Sequence, residues 1–224
     1  MAANSESDKG TRNLVIGMVA FIVAVGIIFS FISNRANSNY AIPATVSEAD
    51  GYGIVLNPTA TPTIDIWVDY QCPACRAFEI LNGGYLNEVI AQKKAKVVFH
   101  PLTFIGAESI IAANAAACAA DENKFVDMNL ALFQNQPSNE NSGQWQAEAM
   151  LALGESVGIK SETFKQCVRD GNYVKWTRNV TDASANKNVN STPTIRVNGK
   201  DLDRNTEYGD PVKFKAALAA AGVK

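Results

Sequence analysis

Two cysteines, Cys72 and Cys75, lie two residues apart in the stretch D-Y-Q-C-P-A-C-R, Asp69 to Arg76. Such a pair can bind a metal, close a structural staple or exchange a disulfide with another protein. A structural zinc site needs four ligands, commonly two such pairs. The other two cysteines, Cys118 and Cys167, lie far apart with no Cys or His near either, so the pattern gives no metal site. A staple at this spacing closes so small a loop that it removes little entropy from the unfolded chain. Exchange fits better. Cys72 stands where a strand passes into a helix, and the first N–H groups of a helix have no intrahelical acceptor and carry partial positive charge. A sulfur held there is favoured as the thiolate, the attacking species in exchange. Pro73 falls in the first turn, where its missing N–H costs nothing. Cys75, one turn in, is expected to be more buried and to resolve a mixed disulfide. Cys118 and Cys167 are expected to form a structural disulfide; the alternative is two buried free thiols, which pack as small apolar side chains.

The elements that must position these groups can be read along the chain. T-I-D-I-W-V-D-Y (63–70) and A-K-V-V-F-H-P-L (95–102) are β-branched and aromatic and read as strands, with G-I-V-L-N (53–57) before them. Between the two strands, residues 72–92 carry helical spacing through Phe78, Leu81, Leu86 and Val89/Ile90. The sole histidine, His100, reads as a strand-end side chain. Residues 107–135 and 144–187 are Ala-rich and helical, separated by P-S-N-E-N-S-G (137–143), with Ser161 as an N-cap. T-I-R-V-N-G-K-D-L (194–202) reads as a hairpin turning at Asn198-Gly199. Asp210-Pro211 opens a closing helix, with Gly222 near its C-cap. The expected fold class is α/β, a mixed sheet interrupted by an all-helical insertion.

Composition limits the remaining possibilities. The chain has 224 residues, long enough for one domain with an insertion or for two small domains, and at 47% hydrophobic and 19% charged it has the composition of an ordinary folded protein. A net charge of −2 provides no basic field, so nucleic-acid binding is not supported. From Leu14 to Ile32 the chain is apolar and uncharged, and a helix over that run is about 28 Å long, close to the thickness of a bilayer's hydrocarbon core. It is longer than the core of a signal peptide, and no A-x-A site follows directly. A retained single-pass anchor is favoured over a cleaved signal. Lys9 and Arg12 precede the run and Arg35 follows it, so the N-terminus is expected in the cytoplasm and the remainder outside, on the cell membrane. Outside the cytoplasm disulfides persist. The expected boundaries are 1–12 cytoplasmic, 13–33 anchor, 34–50 linker, 51–105 first part of the sheet domain, 106–167 helical insertion and 168–224 second part.

Three stretches together carry a family resemblance: V-D-Y-Q-C-P-A-C-R-A-F-E (68–79), C-A-A-D-E-N-K-F-V-D-M-N-L-A-L-F-Q-N-Q (118–136) and S-T-P-T-I-R-V-N-G (191–199). They resemble the DsbA-like thiol–disulfide oxidoreductases of the thioredoxin superfamily, in particular the membrane-anchored actinobacterial type. The resemblance implies a thioredoxin fold with a helical insertion and a catalytic pair in which Cys72 is the nucleophile and Cys75 the resolving thiol, with Pro73 and Ala74 supporting them. It also implies a cis Pro193 facing the pair, leaving Thr192 to align an extended substrate by β-augmentation. The implied activity is oxidation of reduced secreted or cell-envelope proteins, with no cofactor and with a quinone-linked membrane protein as reoxidising partner. A tethered reductase or isomerase, and a non-catalytic chaperone or assembly module using the same groove, are the alternatives. Two departures stand out. Ile66 replaces the acid that many relatives carry six residues before the nucleophile, although Asp65 and Asp69 flank it. Ala74 replaces the histidine of the family's strongest oxidants, which implies a less oxidising disulfide.

Overall fold

A computed structural model describes residues 12–27 and 40–224. Residues 12–27 form a helix, α1, belonging to a unit separate from the body that begins at Ala41. No helix among the described residues is long and apolar enough to cross a membrane. The end of the expected anchor, residues 28–33, lies outside the described residues.

The body is built on six strands: β1 (Val46–Ser47), β2 (Gly53–Leu56), β3 (Thr63–Val68), β4 (Lys96–Pro101), β5 (Thr194–Val197) and β6 (Lys200–Asp201), in the order β1-β2-β4-β3-β5-β6. Only β3 and β4 run parallel, in the register Ile64 to Val97 and Ile66 to Phe99; the other pairs are antiparallel. A parallel pair needs a crossover, here α2 (Pro73–Ala91). β4 is buried at every position from Val97 to Pro101, which is why it reads as a continuous apolar run and not as an alternating one.

Five helices separate β4 from β5: α3 (Ala107–Asp121), α4 (Phe125–Gln134), α5 (Ala147–Ser156), α6 (Glu162–Asp170) and α7 (Val174–Asn186). The run expected over 107–135 is thus two helices. It breaks where Asn123 takes φ +56, a conformation Asn tolerates better than most side chains. α3 is buried nearly all round, and α4, α5, α6 and α7 pack against it. Its alanines are what allow four neighbours to come close. α6 starts on Ser161, whose hydroxyl accepts from the Phe164 N–H, and ends at Gly171 with φ +65. The sequence boundary at 167/168 therefore falls inside a helix. The expected linker 34–50 also ends early, because Val46 pairs with Ile54 and the Ala44 N–H donates to the Asp121 carboxylate, which ties this segment to the sheet and to α3.

The chain closes with the β5–β6 hairpin, turning at Asn198 and Gly199 with φ +49 and +80, then a wide helical turn, Arg204–Tyr208, and α8 (Pro211–Ala220). Asp210 caps α8 by accepting from the Val212 and Lys213 N–H groups. α8 packs on α2 through edge-to-face contacts of Phe214 with Phe78 and Tyr85.

Candidate active site

α2 starts at the C-terminal end of β3, and Cys72 is its N-cap residue with Pro73 in the first turn. The Cys72 carbonyl accepts from the N–H groups of Cys75 and Arg76, both at 3.1 Å. Cys72 is half-buried and Cys75 fully buried, and both are free thiols in this structure. Their acidities diverge. The Cys72 thiol is lowered to about 6, first by its hydrogen bond with the Cys75 thiol, then by one from the Thr192 side chain and by the backbone N–H groups of Cys75 and Ala74, against the opposing effect of burial. Cys75 is pushed well above an ordinary thiol, first by burial and then by Cys72. Ala74 thus contributes through its backbone alone.

The loop before β5 completes the site. Thr192–Pro193 is a cis peptide bond, and the Cys72 thiol donates to the Thr192 carbonyl at 3.5 Å. Cys72, Cys75, Pro73, Ala74, Thr192 and Pro193 therefore come together. Cys118 and Cys167, 49 residues apart, form a disulfide elsewhere, between α3 and α6, with both cysteines buried.

The acids beside Ile66 are both engaged. Asp65 bonds to His100 at 3.0 Å; His100 is buried and stacks on Trp67, and burial lowers its pKa. Asp69 accepts from the Gln71 N–H, the Ser109 hydroxyl and the Ile105 N–H, at the start of α3. Glu79, which the sequence reading overlooked, is a buried acid on the helix that carries the thiols. It is 3% exposed, and one carboxylate oxygen has no hydrogen-bond partner. Burial lifts its pKa to about 7, opposed by a bond from Asn129, which also accepts from the Tyr70 hydroxyl at 3.1 Å. A side-chain carbon on Gly83 would stand 2.6 Å from a Glu79 carboxylate oxygen, so this glycine makes room for the acid. The signal was present in the sequence: at helical spacing, 79 falls on the stripe of 75, 82 and 86.

Gln136 was missed as well. Its amide donates to the carbonyls of Tyr70, at 2.7 Å, and of Cys72, at 3.0 Å. It lies just past α4, in the second of the three resemblance stretches. Among the described residues no group of His, Cys, Asp and Glu could hold a metal ion.

A strand leading into a helix capped by one half-buried and one buried thiol, opposite a cis-proline, is the arrangement of a disulfide-exchange site on a thioredoxin-like frame. The thioredoxin family model matches residues 51–214, and the chain belongs to that family. The relatives it resembles are DsbA-like thiol–disulfide oxidoreductases. It is 27% identical to disulfide bond formation protein D of Bacillus subtilis (strain 168) over 165 residues, 71% of this chain and 73% of that one. Among solved structures it resembles oxidised BdbD of Bacillus subtilis, at 26% identity and TM-score 0.65, covering 82% of this chain and 98% of that one. The MdbA protein of Actinomyces oris, a thiol-disulfide oxidoreductase, shares the fold at 23% identity and TM-score 0.69, covering 81% and 93%.

Proposed function

We propose that this protein is an extracytoplasmic oxidase that introduces disulfides into reduced secreted or cell-envelope proteins through Cys72 and Cys75. The observation that carries the reading is the split between the two sulfurs. Cys72, half-buried at the helix cap, is held as thiolate near neutral pH, while buried Cys75 keeps its proton. In the oxidised enzyme a substrate thiolate attacks Cys72 Sγ, the Cys72–Cys75 bond breaks and Cys75 leaves with the electron pair, taking up a proton. Glu79, one turn beyond Cys75 on α2, is the buried acid that would hold that proton. A second substrate thiolate then attacks the substrate sulfur of the mixed disulfide and Cys72 departs as thiolate. The substrate is oxidised by two electrons and the enzyme pair reduced by two.

Linkage supports this direction. A thiol whose pKa is lowered by folding stabilises the reduced folded protein above the ordinary thiol range, and that stabilisation is lost as pH falls through about 6. A stabilised reduced form makes its disulfide a better oxidant. Reoxidation is assigned to a quinone-linked membrane protein, and the apolar run from Leu14 to Ile32 to membrane tethering. The deciding measurement is the reduction potential of the Cys72–Cys75 pair by equilibration with glutathione, with Cys72→Ser as control. A potential above the glutathione couple is expected. One well below it, near that of thioredoxin, overturns the oxidase reading and makes the protein a tethered reductant.

A further inference from the structure

Between β6 and α8 the chain makes one wide helical turn, Arg204–Tyr208. Turns of this pitch are rare and gather at functional positions. This one is closed by particular residues. Asp203 accepts from the N–H groups of Asn205, at 3.0 Å, and Thr206, at 2.8 Å, and the Gly209 N–H donates to the Arg204 carbonyl at 2.7 Å. A side-chain carbon at 209 would stand 2.4 Å from that carbonyl oxygen, so the closure requires glycine. Arg204, Asn205 and Thr206 are exposed, whereas Tyr208 is buried. The turn delivers one side chain to the interior.

That side chain touches both halves of the thiol site. The Tyr208 hydroxyl donates to the Pro193 carbonyl at 3.2 Å. The Tyr208 carbonyl accepts from the Asn82 amide of α2 at 2.9 Å, and its ring meets Phe78 of α2 edge to face at 5.7 Å. Pro193 has no N–H with which to anchor its own loop, so its carbonyl is the backbone group left to hold. We propose that Tyr208 is a positioning residue: it holds the cis-proline loop at a set distance from the thiol helix and so fixes the seat of an extended, cysteine-bearing polypeptide beside Cys72. The polypeptide rests on the disulfide-exchange reading above; the holding of the loop does not.

The test is Tyr208→Phe in the full chain, which keeps the ring on Phe78 and removes only the hydroxyl. Two measurements are made: amide hydrogen exchange across 190–194, and the steady-state oxidation of an unstructured two-cysteine peptide. Losing one hydrogen bond speeds exchange at Thr194, the β5 residue that follows Pro193 and pairs with Trp67, and raises the peptide KM about three- to tenfold with kcat held within about twofold. Asn82→Ala, which cuts only the link from α2 to the Tyr208 carbonyl, moves both quantities the same way and serves if the first variant fails to fold. Unchanged exchange overturns the proposal. Faster exchange with an unchanged KM overturns the seating of the polypeptide. Faster exchange in a protein whose wild type does not oxidise the peptide supports the loop-holding role and overturns the disulfide-exchange reading instead.

Discussion

Cys72 and Glu79 share one helix and are displaced in opposite directions, the thiol down to about 6 and the carboxyl up to about 7. Both consequences are measurable. Alkylation of reduced Cys72 by iodoacetamide should rise with pH through about 6 and level off near neutrality; a rise that waits for the ordinary thiol range would remove the stabilised thiolate. For Glu79 the sign runs the other way. The folded state keeps a proton that the unfolded chain releases in the ordinary carboxylate range, so Glu79 costs no stability below that range and lowers it progressively as pH rises to about 7. Glu79→Gln cannot ionise and should match the wild type near pH 4, then exceed it by up to about 3 kcal/mol at pH 8. Thermal melts across that pH range decide the matter, and parallel curves would show that folding leaves the Glu79 pKa unshifted. If Glu79 also holds the Cys75 proton, the same variant slows formation of the mixed disulfide, the step in which Cys75 leaves.

The start of α2 is set in place by helices that join it from far along the chain. Gln136, beyond α4, bonds the carbonyls on both sides of Gln71, and the Gln71 amide donates to Ser109 and Asn141. Gln136→Ala should cost about 1–3 kcal/mol by leaving buried carbonyls unpaired, read as a shift in the denaturant midpoint with an unchanged slope; no shift would mean that solvent replaces the amide. Much at this scale could be read in advance, since strands declared themselves by β-branched runs, α6 by Ser161, and the hairpin by Asn198-Gly199. The thiol pair was equally visible, as was the cis-proline loop through its motif. The bonds that steady these groups were not. Gln136 sits in a polar stretch, and Tyr208 in D-R-N-T-E-Y-G-D, a run that looks wholly solvated until the wide turn folds one ring inward. Glu79 shows the opposite case, a visible position whose polarity argued for the surface while its spacing argued for the core.

Across the whole molecule the Cys118–Cys167 disulfide ties α3 to α6. It closes a separation of 49 residues, for which loop-closure entropy gives about 4 kcal/mol. A Cys118→Ser/Cys167→Ser variant should melt about 10 °C lower while Cys72 keeps its thiolate titration; an unchanged melt would show that the five helices hold without the link. The sheet order carries a different consequence, one of timing. Central strand β3 has β4 on one side and β5 on the other, and the groups that meet at the site, Cys72 and Thr192, are 120 residues apart. A chain emerging from its amino end thus exposes one unpaired edge of I-D-I-W-V until β5 has been made. During that interval it offers its neighbours an open apolar strand and displays its thiols without the cis-proline loop. The newborn enzyme is therefore itself an unfinished, thiol-bearing polypeptide of the kind that its mature form is proposed to serve.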